Sequence, residues 1–467
     1  MSWAAATLRL LIERAPRMAL AAVFLAAVGF WAVNLQFGVR EIHRAEASVN
    51  FALALPQSSP ADWPQLYGPG GNSHGGWDGS SFAVTGEGRW TAELPGEGIG
   101  GPSVWRDQVF VPVIDASQAT ASLWALDRRH GRVLWKRCLH RQLAIPKDSP
   151  PSTAGVAACD GNSVFLGVVV DGRLLVSAVG LTGELRWTRD VGPMVAEDGH
   201  LVSPRLFGTL LLVAADHPAS PWSFSGPTSH VTAVHRQQGE IIWRVRRRNC
   251  DSSMAPTLVD VAGQPQLVMA GRGEVRGYDP RTGSERWACL LRGVESVPVV
   301  AAQDRQLFVA AAEPRPTISA IRADQQGLMN ETNTLWKQLT KDPAELPLVC
   351  DRENLYLLNQ DGLLVCCDLA TGKTRWQRQL RGSFRTPPVL GGEHMLCVNS
   401  QGSAFILDLR DRGDIIAEEF AHDEVAAPPA ATCEQCFLRT RRGLVCIPWE
   451  RVSAPLVNSP KDQPKRL

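Results

Sequence analysis

The chain has 467 residues, 44% of them hydrophobic and 20% charged, a composition typical of globular rather than disordered proteins. Its length is enough for one large all-β domain or for two or three ordinary domains. The formal net charge is only +1, which argues against nucleic acid or a strongly acidic molecule as the partner.

The first predicted element is a membrane-spanning helix over residues 18–37, a stretch without a charged side chain. Twenty helical residues span about 30 Å, the thickness of the hydrocarbon core of a bilayer. Arg9, Arg14 and Arg17 precede this stretch and mixed charges follow it. The positive-inside rule therefore places residues 1–17 in the cytoplasm and the rest of the chain on the periplasmic, extracytoplasmic side of the inner membrane.

A cleaved signal peptide is the alternative for the same segment. The one suitable small-x-small site, Ala45–Ala47, lies well beyond the apolar run and behind charged residues. The spacing favours an uncleaved signal anchor, and hence a single-pass membrane protein.

Residues 38–62 are predicted to be a linker that ends in a Pro/Ser-rich stretch. The next fifteen residues, 63–77, contain too much glycine and proline for regular structure. They carry aromatic residues at both ends, so we expect an ordered lead-in that packs on the following domain.

The main domain, predicted over residues 63–450, is marked by a recurring tryptophan. Six glycines are each followed by a tryptophan four residues later, and the mean step along the series is about 48 residues. A period of this size in strand-like sequence indicates a β-propeller. The repeat tryptophans are Trp90, Trp135, Trp187, Trp243, Trp287, Trp336 and Trp376, and the turn glycines after the first are Gly131, Gly183, Gly239, Gly283 and Gly372, with no glycine at this offset before Trp336.

Each repeat contains four short strands separated by turn signals, as one propeller blade requires. The last repeat, residues 425–448, has only three strands, whereas the strand around Trp90 has no three strands in front of it. We therefore predict an eight-bladed, all-β propeller in which the N-terminal strand closes the last blade. Residues 451–467 are predicted to be a flexible tail.

The turn before each tryptophan follows the pattern Asp-x-x-Thr-Gly in its fullest copies. Asp127, Asp279 and Asp368 start such turns, where a carboxylate can accept hydrogen bonds from the turn backbone. The tryptophan that follows buries on the order of 200 Å², and the seam between two blades is the natural place for it. Three short basic clusters, residues 128–130, 246–248 and 439–442, are interpreted as solvated surface charge.

This repeat resembles that of the PQQ-like, quinoprotein-type propellers over roughly residues 63–450. The superfamily includes PQQ-dependent alcohol dehydrogenases as well as BamB-like, non-enzymatic scaffolds of the outer-membrane assembly machinery. The resemblance thus implies an eight-bladed fold but leaves the activity open.

A dehydrogenase of this superfamily holds PQQ with arginine and polar groups and Ca²⁺ with oxygen ligands. The sequence contains no compact acidic cluster for Ca²⁺. Family enzymes often have a disulfide between adjacent cysteines, but Cys366 and Cys367 lie within a third strand, where alternation points them to opposite faces. Ordinary strand residues are the preferred interpretation.

Cys433 and Cys436 form a C-x-x-C pair without a second pair or histidines nearby in sequence. A disulfide that staples a hairpin in an oxidising compartment is the preferred interpretation, followed by a free thiol pair. We predict no catalytic residue and no metal site.

The sequence therefore predicts a membrane-anchored propeller that binds one or more envelope proteins and needs no cofactor. The alternative is a PQQ-dependent oxidoreductase that acts on alcohols or sugars with PQQ and Ca²⁺.

Overall fold

The computed structural model describes residues 40–42, 57–76, 82–84, 88–96, 99–145, 155–196, 200–217, 229–247, 255–271, 273–291, 299–311, 315–329, 333–340 and 346–451. Within these ranges the regular elements are strands, and no helix is long and apolar enough to cross a bilayer. The predicted span at 18–37, residues 1–17 and nearly all of the predicted tail lie outside the described residues.

The described strands form an eight-bladed β-propeller, which confirms the predicted fold. Within a blade each strand pairs antiparallel with the next, so successive strands run in opposite directions between the two ends of the ring. The turns between first and second strands and between third and fourth strands lie at one end, called here the turn face. The opposite end, where each fourth strand leads to the next blade, is called the loop face.

Blades 1 to 4 contain four strands each from consecutive segments of the chain. In chain order these are Ser103–Trp105, Gln108–Asp115, Thr120–Asp127 and Val133–Arg141; Ala158–Cys159, Ser163–Val170, Arg173–Gly180 and Leu185–Pro193; Arg205–Phe207, Leu210–Ala215, His230–His235 and Ile241–Arg246; and Thr257–Val261, Gln264–Gly271, Glu274–Tyr278 and Glu285–Leu290.

Blades 5 to 7 repeat this arrangement, and blade 8 supplies three strands from the end of the described chain. The strands are Val299–Gln303, Gln306–Ala311, Thr317–Arg322 and Thr334–Leu339; Val349–Cys350, Asn354–Leu358, Leu363–Asp368 and Thr374–Gln379; Val389–Gly391, His394–Val398, Ser403–Asp408 and Asp414–Phe420; and Ala430–Ala431, Gln435–Arg439 and Gly443–Arg451.

The N-terminal part of the domain closes blade 8, as predicted. Strand Trp90–Glu93 pairs antiparallel with Gly443–Arg451, with Trp90 opposite Cys446. A second short strand, Phe82–Val84, continues along the same edge, with Val84 opposite Trp449. Strand Trp90–Glu93 leads directly into blade 1 but is hydrogen-bonded to blade 8. These hydrogen bonds therefore hold the first and last blades of the ring together.

Two blades carry an additional outer strand that sequence analysis did not predict. Arg40–Ile42, expected to be linker, pairs antiparallel with the fourth strand of blade 3. Gly327–Met329, from the connection between the third and fourth strands of blade 5, pairs in parallel with the fourth strand of blade 4. Both segments satisfy backbone groups that an outermost strand would otherwise expose.

Two short inner pairings complete the strands around the axis. Gly100–Gly101 pairs in parallel with Gly155–Val156, which links the starts of blades 1 and 2. Leu201–Val202 pairs with the second strand of blade 2.

The hydrophobic core is divided among the seams between blades. For example, Phe110 and Leu123 of blade 1 share one buried cluster with Val164 and Leu166 of blade 2. Because a blade is covered on both faces, inner strands such as Ser163–Val170 are apolar throughout rather than alternating. Outer strands such as Thr374–Gln379 alternate between partly buried and exposed side chains.

Candidate functional site

The repeat tryptophans lie at the seams between blades. The tryptophan of one blade packs against the turn glycine of the next: a Cβ atom on Gly183 would lie 2.9 Å from the Trp135 ring, and one on Gly239 would lie 2.8 Å from Trp187. The indole nitrogens of Trp90, Trp135, Trp187 and Trp336 donate to backbone carbonyls of the neighbouring turn at 2.7–3.1 Å. The motif therefore couples blades and leaves no room for a ligand at these rings.

Trp287 departs from this pattern because blade 5 lacks the Thr-Gly turn. Its indole nitrogen donates instead to Gln266 Oε1 of its own blade at 2.7 Å. The ring packs against Gly277, and the strand Gly327–Met329 takes the place of a neighbouring turn. Blade 4 thus keeps a fully buried tryptophan with a different partner.

The three motif aspartates shape the turns between third and fourth strands. Asp127 Oδ1 accepts from the backbone nitrogen of His130 at 2.7 Å, Asp279 Oδ1 from that of Arg281 at 2.9 Å, and Asp368 Oδ1 from that of Thr371 at 2.9 Å. Their carboxylates are occupied within their own turns, which is a structural role.

The interpretation of the basic clusters as solvated charge is wrong for one arginine in each. Arg128 is buried and donates to Gln435 Oε1 of blade 8 at 2.7 Å. Arg247 donates to Asp216 Oδ1 at 2.7 Å. Arg439 donates to the carbonyl of Pro95 at 2.8 Å and so links blade 8 to the segment that closes it. Turn position alone could not reveal these long-range partners.

The lead-in closes the axis of the ring at the turn face. Trp63 is only 2% exposed and exchanges two backbone hydrogen bonds of 2.8 Å with Val104 of blade 1. The carbonyl of Pro64 accepts from Cys159 of blade 2, and Leu390 of blade 7 exchanges hydrogen bonds with residues 73–75. The prediction of an ordered lead-in packed through its aromatics is confirmed for residues 63–76.

Arg205, in the first strand of blade 3, fixes the lead-in from within the ring. Its guanidinium donates to the carbonyls of Leu66 at 3.0 Å and of Pro256 at 3.1 Å. The side chain is 2% exposed, and this burial lowers the pKa of Arg205 to about 10. Burial also raises the pKa of the neighbouring Tyr67 hydroxyl to about 12. The sequence signal for this residue was an arginine inside a first strand, and it was missed.

A cavity of about 500 Å³ remains on the axis. The lead-in residues 66–67 and 70–74 line it, together with residues at the loop-face ends of several blades, including His200, Asp216 and Arg385. This cavity is where a propeller of this shape would hold a small ligand.

The carboxylates described around this cavity are not arranged to hold Ca²⁺. Its two lining carboxylates have other partners: Asp216 accepts from Arg247, and Asp260 Oδ1 accepts from the backbone nitrogen of Gly263 at 2.7 Å. Within the ranges given above, no three His, Cys, Asp or Glu side chains are placed to hold a metal ion. The buried arginine Arg205 donates to the carbonyls of Leu66 in the lead-in and of Pro256 before blade 4.

The two cysteine pairs lie in different surroundings. Cys366 lies in the core between blades 6 and 7 and Cys367 in the core between blades 5 and 6, as strand alternation predicts. Cys436 carries a free thiol in this structure, and the Cys433–Cys436 disulfide stays a prediction. Cys433 lies in the hairpin turn, whereas Cys436 is buried in the following strand, where burial raises the pKa of its thiol.

The outer rim of blades 4 and 5 exposes several leucines. Leu328 and Leu339 are 72% and 68% exposed, more than any other large hydrophobic residue described. Leu339 also borders a groove of about 360 Å³ between blades 5 and 6, lined by Ile318, Leu363 and Val365 among others. The fourth strand of blade 5, Thr334–Leu339, pairs with no further described strand on its outer side.

Comparison with known protein families identifies the class of this fold. The family model described as outer membrane protein assembly factor BamB matches residues 119–331 and 318–415. The match covers more than half of the chain, which therefore belongs to this family of PQQ-like propellers. A comparison with curated proteins finds no match.

Solved structures with the same fold include proteins of different function. BamB from Moraxella catarrhalis is 13% identical, with a TM-score of 0.55 over 79% of this chain and 100% of that one. The quinohemoprotein alcohol dehydrogenase ADHIIG from Pseudomonas putida HK5 is 12% identical, with a TM-score of 0.58 over 87% of this chain and 82% of that one. The computationally designed protein Ika8 is 15% identical, with a TM-score of 0.53 over 78% of this chain and 98% of that one. At these identities the similarity shows the fold alone.

Proposed function

We propose that this propeller is a protein-binding scaffold of the cell envelope, anchored in the inner membrane by residues 18–37 and working without PQQ. The observation that carries the proposal is the open outer edge of blade 5, on which Leu335 and Leu339 are exposed. An unpaired strand edge is a template for pairing with another chain.

The open edge supports a partner that supplies an extended segment. Blades 3 and 4 already accept an added strand on their outer edges, from residues 40–42 and 327–329 of this chain. Blade 5 offers the same backbone edge, and Leu335 and Leu339 are exposed on one side of its outer strand, four residues apart with Lys337 between them. Main-chain pairing would give such a partner affinity, and the leucines and adjacent groove would select its side chains.

Site-specific photocrosslinking in intact cells tests the proposal. A benzoylphenylalanine at Leu339 should capture one reproducible envelope protein, and Leu335→Lys in the same chain should reduce the yield severalfold. The matched control is Ile416, a 47% exposed residue on the outer strand of blade 7. Equal capture from Leu339 and Ile416, or no capture from Leu339 in cells that contain the folded protein, would contradict the proposal.

A further inference from the structure

The two strands added outside blades 3 and 4 match the edges on which they lie, residue type against residue type. On blade 3, Glu41 of the added strand is placed directly opposite Arg244 in the pairing. On blade 4, Leu328 of the added strand is placed directly opposite Ala288. An acidic residue is thus paired with a basic one, and an apolar residue with an apolar one.

The equivalent position on the open edge of blade 5 is Lys337. Arg244, Ala288 and Lys337 each follow the repeat tryptophan of their strand and have the same place in the pairing with the third strand. Lys337 is exposed, and on the same side of its strand it lies between the exposed residues Leu335 and Leu339. It forms no ion pair with any residue that the structure describes. The edge therefore presents leucine, lysine and leucine at alternate positions, with a positive charge that nothing described neutralises.

We infer that the partner of blade 5 contributes an extended segment in which an aspartate or glutamate lies between two large apolar residues at alternate positions. The inference rests on the proposed function and specifies its partner. Residues directly opposite in neighbouring strands have Cβ atoms about 5 Å apart, where opposite charges stabilise the pairing and like charges destabilise it. The acidic residue lies opposite Lys337, in the way that Glu41 is placed opposite Arg244. The two apolar residues cover Leu335 and Leu339, which removes apolar surface from water.

Charge reversal at Lys337 tests the inference in the photocrosslinking experiment with benzoylphenylalanine at Leu339. Lys337→Glu should lower capture of the partner about threefold or more, because a like charge then faces the acidic residue, whereas Lys337→Arg should leave capture nearly unchanged. Lys136→Glu is the matched control, since Lys136 is exposed and follows Trp135 at the same position of the outer strand of blade 1. Thermal unfolding of each variant checks that the ring is intact. Equal loss of capture in the two glutamate variants overturns the inference.

Mass spectrometry of the crosslinked peptide identifies the captured segment. It should contain an aspartate or glutamate with one large apolar residue two positions before it and another two positions after it. Replacing that acidic residue of the partner with lysine should restore capture by the Lys337→Glu variant. Unchanged capture in Lys337→Glu, a captured segment without this pattern, or failure of the rescue overturns the inference and leaves the proposed function standing. No capture from Leu339 with Lys337 in place contradicts both.

Discussion

A turn glycine and a tryptophan from neighbouring blades meet at most seams of the ring. Gly239 has φ of +69°, in the left-handed region that side chains disfavour, and a Cβ atom added to it would lie 2.8 Å from the ring of Trp187. Two separate requirements thus fall on one residue, one from the turn and one from the neighbouring blade.

The two requirements can be separated by mutation. Gly172 has the same φ of +69°, but nothing lies within 4 Å of an added Cβ atom. Gly172→Ala should cost about 1 kcal/mol of backbone strain, whereas Gly239→Ala should cost about 2–4 kcal/mol because overpacking against Trp187 is added. Denaturant unfolding of both variants measures the difference, and equal losses would show that the seam contact is not tight.

Asp368 makes a pH-dependent contribution to the stability of the folded protein. The hydrogen bond from Arg375 Nη2 to Oδ2, at 2.6 Å, together with those from Thr371, lowers the pKa of Asp368 to about 2. The unfolded value is about 3.9, so this contribution is present above about pH 4 and is lost as the pH falls towards 2.

Asp368→Asn should therefore destabilise the protein by on the order of 1 kcal/mol or less at pH 7, because the carboxylate is partly solvated. The difference in stability between this variant and the wild type should disappear as the pH is lowered from 6 to below 3. Denaturation midpoints measured across this pH range test this. Glu353→Gln is the control, since Glu353 is 77% exposed and lies 3.8 Å from Arg375. A stability difference that does not change with pH would show that it does not come from the charge of Asp368.

At the scale of elements, the segment that closes blade 8 carries the integrity of the ring. Strand Trp90–Glu93 supplies the fourth strand of that blade, Trp90 reaches the turn of blade 1, and Arg439 holds the carbonyl of Pro95. The strand pairing and the Arg439 contact join residues that lie more than 300 positions apart in the chain.

Deletion of residues 86–94 should lower the melting temperature of the whole domain, because it leaves an open ring with exposed edges. Glu41→Pro disturbs only the strand added outside blade 3, so we expect a much smaller shift. Thermal unfolding followed by circular dichroism compares the two variants. A deletion variant with a wild-type transition would show that the ring does not depend on this closure.

Periodic features of the fold were predictable from the sequence, and isolated ones were not. The tryptophan spacing, the three-stranded last repeat and the unmatched strand at Trp90 led to eight blades and their closure. The strands at 40–42 and 327–329 are three residues each, too short for a hydrophobic period to mark them. The departure of Trp287 depends on an insertion in the next blade, which a motif search in its own blade cannot show.

The candidate site was less predictable because its contacts join distant parts of the chain. The aromatic, glycine-rich composition of residues 63–77 indicated an ordered lead-in, but not that it closes the axis. Arg205 donates to the backbone carbonyl of Leu66, 139 residues earlier in the chain. Every residue has such a carbonyl, so the sequence does not indicate which one is the partner. The exposed rim of blade 5 likewise depends on which leucines the neighbouring blades leave uncovered.

At the scale of the whole molecule, the ring is closed twice. A shared ladder closes it around its circumference, and the lead-in closes its axis at the turn face. Arg205 and the two carboxylates described around the axis are bound to other groups of the chain, whereas Arg385 lines the axial cavity. The proposed scaffold function depends instead on the outer rim of blade 5.

Titration of the full-length protein with PQQ and Ca²⁺ tests this account most directly. Equilibrium dialysis, with the absorbance of the quinone as readout and a quinoprotein alcohol dehydrogenase apoenzyme as positive control, gives the amount bound. The account predicts no saturable binding at micromolar PQQ and no reduction of a dye by alcohols or sugars. Saturable micromolar binding together with dye reduction would contradict it and identify the protein as an oxidoreductase.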